Sequence, residues 1–124
     1  MTLQISYILF MADQDERSQA YKKKATDVFP MYLKALEKMM TQNGSTGFYV
    51  GSTMTIADIT TWRLLGWISG SSLEGYPAWG KLEGIPTNIL DPYPQIMANM
   101  KNTGEHPKIA AWMAKHYAGT FSPE

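Results

Sequence analysis

Asp58 is the residue whose surroundings first suggest chemistry. It lies in the stretch Phe48-Tyr49-Val50-Gly51-Ser52-Thr53-Met54-Thr55-Ile56-Ala57-Asp58-Ile59-Thr60-Thr61-Trp62, where an acid precedes a run that is mostly apolar. A carboxylate in that position would fit a catalytic or a metal-binding job. An acid in the first turn of a buried helix has the same surroundings and does no chemistry. The remaining reactive inventory is thin. The chain has no cysteine, which excludes thiol nucleophiles, disulfides and Cys-based zinc sites. His106 and His116 are spaced for surface or capping roles, so neither a catalytic residue nor a metal-ligand set is expected.

Charge sets a second limit. Lys plus Arg number 11 and Asp plus Glu number 11, giving a formal net charge of +0. A nucleic-acid partner therefore lacks its usual electrostatic driving force, and the run Lys22-Lys23-Lys24 reads as a solvated helix face. The apolar opening, Met1 to Ala12, is broken by Gln4 and Ser6, has no basic leader and is too short to span a bilayer. It reads as a core helix of a cytoplasmic protein with no membrane partner.

The elements that would hold these residues are all helical. At 124 residues with 44% hydrophobic content, one domain with a real core is expected. Ala25, Val28, Phe29, Tyr32, Leu33, Leu36 and Met40 recur at steps of three and four, which predicts one amphipathic helix from Arg17 to about Met40, kinked at Pro30. Gly44 stands where a helix end wants positive φ. Asp91-Pro92 and His106-Pro107 each read as a cap followed by a first-turn proline. The second of these precedes a buried stripe of Ile109, Trp112, Met113 and Tyr117. No segment alternates in the manner of a strand. The prediction is an all-α bundle of about five helices over residues 1–117, with a loose tail over 118–124.

For Asp58 the local pattern favours a cap. Thr55 at the N-cap is expected to accept from the backbone N–H of Asp58, while the Asp58 carboxylate reaches back to the N–H of Thr55; Met54 and Ile59 occupy the two positions of a hydrophobic staple. The helix from Ile56 to about Ile68 has only two charges, Asp58 and Arg63, and apolar residues nearly all round it. It is predicted to be the buried central helix.

With its flanks, this segment resembles a known family. Phe48-Tyr49-Val50-Gly51, three residues, then Thr55-Ile56-Ala57-Asp58 is similar to the entry into the buried sixth helix of the C-terminal domain of cytosolic glutathione transferases, with a sigma-like flavour. Phe29-Pro30-Met31-Tyr32-Leu33, Gly84-Ile85-Pro86 with Tyr93-Pro94, and Pro107-Lys108-Ile109-Ala110-Ala111-Trp112 support the resemblance. It implies a parent enzyme that conjugates reduced glutathione, its co-substrate, to electrophiles. The thioredoxin-like N-terminal domain that binds glutathione in the family cannot be located in this sequence, so no cofactor is expected on this chain itself. The resemblance further implies that this part supplies a substrate-pocket wall, mapping onto Tyr7, Phe10, Met11, Trp62 and Arg63, and a dimer surface. No acid stands near Gln4, where sigma-like members often carry one, which argues against cross-subunit glutathione contact. The competing expectation is a stand-alone assembly module without catalysis, as similar domains form in translation elongation factors and synthetase complexes. In either case the face that normally packs on the thioredoxin-like domain must be covered by that domain, by another protein or by a second copy. An unrelated five-helix bundle is the third option.

Overall fold

The computed structural model describes residues 8, 10–69, 82 and 84–117. Among them are five helices and no strand: α1 (Gln14–Asp27), α2 (Phe29–Gln42), α3 (Ile56–Ser69), α4 (Pro94–Glu105) and α5 (Pro107–Tyr117). Most of the expected opening helix, the expected end of α3 at Gly70 to Ser72 and the tail from Ala118 lie outside the described residues.

The helix expected from Arg17 to Met40 is two helices. α1 begins earlier, at Gln14, because Asp13 caps it by accepting from the Glu16 N–H at 2.8 Å. It stops at Asp27. Val28 (φ −115°, ψ −50°) is both its C-cap and the N-cap of α2. Pro30 has no N–H to continue the first ladder, but at the start of a new helix that N–H has no intrahelical partner anyway. A break therefore costs less than a kink through the interior.

α2 ends in a Schellman motif. The Ser45 N–H donates to the Met40 carbonyl at 2.9 Å and the Gly44 N–H to that of Thr41 at 3.0 Å, with Gly44 at φ +76°. The loop that follows is tied back by Asn43, whose Nδ2 donates to the carbonyls of Phe48 (3.0 Å) and Gly51 (2.7 Å) and whose Oδ1 accepts from the Gly51 N–H (3.2 Å).

α4 starts later than Asp91-Pro92 suggests. Asp91 and Tyr93 donate their N–H groups to Asn88 and Leu90 in consecutive turns, and the helix begins at Pro94 with Tyr93 as an N-cap that offers no side-chain hydrogen bond. The cap comes from another helix. Glu37 of α2 accepts from the N–H of Gln95 and of Ile96, both at 3.0 Å, and Gln95 Nε2 reaches Thr41 Oγ1 at 2.7 Å. An anion on two first-turn amides also meets the positive end of the helix dipole. Glu37→Gln keeps the shape but turns an amide donor towards one of these N–H groups. It is expected to cost about 1–2 kcal/mol in a denaturant titration.

The core joins Tyr21 and Ala25 of α1, Phe29, Leu33 and Met40 of α2, Trp62, Leu65 and Ile68 of α3, and Ile96 and Met100 of α4, with Leu82, Ile85, Leu90 and Tyr93 closing one side. α3 packs chiefly on α4, α1 on α2, and α4 also on α2 and α5. α3 is central but not buried all round: Ile56 is 76% exposed, and Thr60 and Arg63 extend an open stripe along the same face. α5 is the least embedded helix. Ile109 and Met113 are half-buried against the core, while Trp112, expected inside, is 46% exposed and rests 4.9 Å from the His116 ring.

Candidate functional site

Asp58 is fully buried, in the first turn of α3, and its carboxylate accepts from four donors. Oδ2 takes the Thr55 N–H at 2.8 Å and the Thr55 hydroxyl at 3.2 Å; Oδ1 takes the Tyr49 N–H at 3.2 Å and Asn99 Nδ2 at 2.8 Å. The Asp58 N–H goes to the Thr55 carbonyl at 3.1 Å. The Thr55 hydroxyl accepts instead from the Ala57 N–H at 3.3 Å, one residue earlier than expected, because it also donates to the carboxylate. Met54 and Ile59 are half-buried.

The long-range half of this cluster was not anticipated. Asn99, on α4 and fully buried, donates both to Asp58 and to the Gly47 carbonyl at 2.8 Å, so one amide joins α3, α4 and the loop after α2. A signal existed: Asn99 falls between Ile96, Met100 and Thr103 on the buried side of α4, where a polar side chain needs a partner. The hydroxyl of Tyr49 and Oδ1 of Asn99 have no hydrogen-bond partner among the described residues. Burial first, and then the negative charges of Asp58 and Glu37, push the Tyr49 hydroxyl well above the ordinary tyrosine range, so it stays protonated. Chemically this is a clamp on backbone amides: a carboxylate with no solvent access and four donors has no lone pair to offer a substrate.

Of the five residues mapped to a substrate-pocket wall, the four that are described differ in exposure, from an open Phe10 to a buried Trp62. Tyr7 lies outside the described residues. Phe10 is 88% exposed. Met11 is half-buried and lines a cleft of about 460 Å³ with Ile8, Ala20, Lys23, Lys24, Asp27 and Val28. Trp62 is turned inward, 4% exposed, with its indole Nε1 over Gly104 of α4. Arg63 is exposed one position further along α3. A second cleft, of about 270 Å³, is lined by Phe48, Met54, Thr103 and His106 among others and includes none of the five. His106 Nδ1 accepts from the Lys108 N–H at 3.3 Å at the start of α5.

Among the described residues no group of three His, Cys, Asp or Glu could hold a metal ion, and no helix is long and apolar enough to cross a membrane. The family model described as "Glutathione S-transferase, C-terminal domain" matches residues 1–116. S-crystallin 4 of Enteroctopus dofleini is 26% identical over 111 residues, which cover 90% of this chain and 44% of that protein. The chain thus spans less than half the length of this relative. No solved structure matches the chain significantly. An all-helical bundle with α3 at its centre, together with a family match running nearly end to end, shows that the chain belongs to the glutathione S-transferase C-terminal domain family.

Proposed function

We propose that this chain acts as the helical half of a glutathione-conjugating protein and that a thioredoxin-like domain covers the open stripe of α3. The carrying observation is that stripe: Ile56 at 76% exposure beside Thr60 and Arg63, on a helix whose other faces bury Asp58, Trp62, Leu65 and Ile68. An apolar side chain left in water at the start of the central helix is a feature that a covering domain would bury. In this reading the covering domain binds reduced glutathione and activates its thiol, in cytoplasmic detoxification of electrophiles. The helical half adds apolar wall for the electrophile, from Tyr7, Phe10 and Met11 on one side and Trp62 and Arg63 on the other, together with dimer surface.

The test is reconstitution. The chain alone, titrated with reduced glutathione in a calorimeter and assayed with an aryl halide, is expected to be silent. Mixed with a separately produced thioredoxin-like domain of a sigma-like transferase, it is expected to co-elute and to support conjugation. Ile56→Glu should abolish both without lowering thermal stability, since that side chain is already in water. Turnover by the chain alone overturns the proposal, and so does reconstitution that ignores Ile56→Glu. A mixture that never associates would leave the non-catalytic assembly module as the reading.

A further inference from the structure

We propose that Asn43 is a site of spontaneous covalent modification: its side-chain amide is lost through ring closure onto the Gly44 backbone nitrogen, and the Asp or isoAsp produced unlocks the loop after α2. Of the four asparagines in the chain, Asn43 alone is followed by glycine, which has no side chain to obstruct attack through its own nitrogen. In the reaction the deprotonated Gly44 nitrogen bonds to Asn43 Cγ, the bond from Cγ to Nδ2 breaks, and ammonia leaves. Water then adds to one of the two carbonyls of the five-membered imide and opens it to a carboxylate. Nothing is oxidised or reduced, and water is the only co-reactant.

The closed loop holds this chemistry back. At ψ 16° the Gly44 nitrogen lies on the far side of the Cα–C bond from the Asn43 side chain, so that bond must rotate before the ring can close. The Gly44 N–H is engaged with the Thr41 carbonyl at 3.0 Å in the end of α2. The leaving amide is engaged as well: Nδ2 donates to Thr46 Oγ1 at 2.9 Å in addition to the carbonyls of Phe48 and Gly51. The Thr46 hydroxyl in turn donates to the Gly51 carbonyl at 2.7 Å. Reaction therefore waits on local opening of the loop. It also prevents reclosure, because a carboxylate cannot donate and would set an oxygen against the Phe48 and Gly51 carbonyls. The same loop carries the Gly47 carbonyl that holds Asn99 and the Tyr49 N–H that holds Asp58, so loosening there reaches the buried clamp. The site lies wholly on this chain and does not rest on the pairing with a thioredoxin-like domain.

The experiment follows the full chain in mildly alkaline buffer, with and without unfolding concentrations of urea, by peptide mapping that separates Asn, Asp and isoAsp at each asparagine. In urea, conversion is expected at Asn43 ahead of Asn88, Asn99 and Asn102; in the folded chain it should be at least about tenfold slower. Thr46→Ala, which removes a loop hydroxyl and leaves the reacting pair intact, should speed the folded chain about fivefold and leave the rate in urea unchanged. Asn43→Asp, which stands in for one product, is expected to fold but to exchange the amides of Tyr49 and Gly51 about tenfold faster. Equal rates with and without urea would overturn the protection by the loop, as would a folded rate untouched by Thr46→Ala. Conversion led by another asparagine in urea would overturn the choice of site, and parental exchange rates in Asn43→Asp would overturn the unlocking.

Discussion

Asp58→Ala is expected to lower the unfolding free energy by about 3–5 kcal/mol, a large share of the stability of a domain this size. The change removes acceptors from the N–H groups of Tyr49 and Thr55 and from Asn99 Nδ2, at a fully buried position on α3. Each orphaned buried donor costs about 1–3 kcal/mol, and only Thr55, which is half-buried, can turn to water at modest expense. Asp58→Asn should recover part of the loss, since one oxygen remains while the new amide confronts a donor. Asn99→Ala should cost less than Asp58→Ala, because it removes a donor and leaves the carboxylate its backbone partners. In a double-mutant cycle the two should couple by about 1–3 kcal/mol. Denaturant midpoints at constant slope would measure all of these, and a loss under 1 kcal/mol for Asp58→Ala would show that the clamp relaxes into solvent.

The second large effect is expected at Gly84, between the core residues Leu82 and Ile85. Gly84 sits at φ +86°, and a Cβ there would overlap the backbone carbonyl of Ser18 in α1. Gly84→Ala therefore incurs about 1–2 kcal/mol for the left-handed conformation and a further 1–3 kcal/mol, roughly, for displacing a helix backbone that cannot swing aside as a side chain would. A melting temperature lower by roughly 10–15 °C is expected. Gly44→Ala serves as the control. It has similar φ (+76°) but nothing within 4 Å of its Cβ position, so only the conformational penalty of about 1 kcal/mol applies. Equal losses at the two positions would mean that contact with Ser18 contributes nothing.

What could be read from the chain alone was local. The helical class, the turn at Gly44 and the return of the Asp58 carboxylate to Thr55 all follow from residues within a few positions of one another, where spacing determines geometry. Val28 shows how an expectation of this kind shades into error: Pro30 forbids an uninterrupted ladder, but whether the helix bends or restarts depends on whether Val28 can serve two ends at once. At Asp91 the local pattern of cap and proline was present and was not used, because Glu37 already satisfies the amides of Gln95 and Ile96. Arg63 attracted attention as a charge in an apolar helix, yet it stands on the open stripe, which no periodicity count distinguishes from a buried one. The residues mapped to a substrate wall were placed by likeness to a family of larger proteins, which carries no information on how far each is exposed in this chain.

The cap that Glu37 provides also constrains the order in which the chain can fold. Pro94 to Glu105 is short, contains Gly104, and has no side chain of its own at the N-cap, so as an isolated segment it falls below the length at which helices persist in water. Its first turn is secured only when a loop of 58 residues, from Glu37 to Gln95, has closed. Closure of that loop carries an entropic cost that no local contact in α4 offsets. The pairing of α3 with α4 is thus conditional on α2 being formed and in position, which makes the N-terminal half of the chain the template on which the C-terminal half is built.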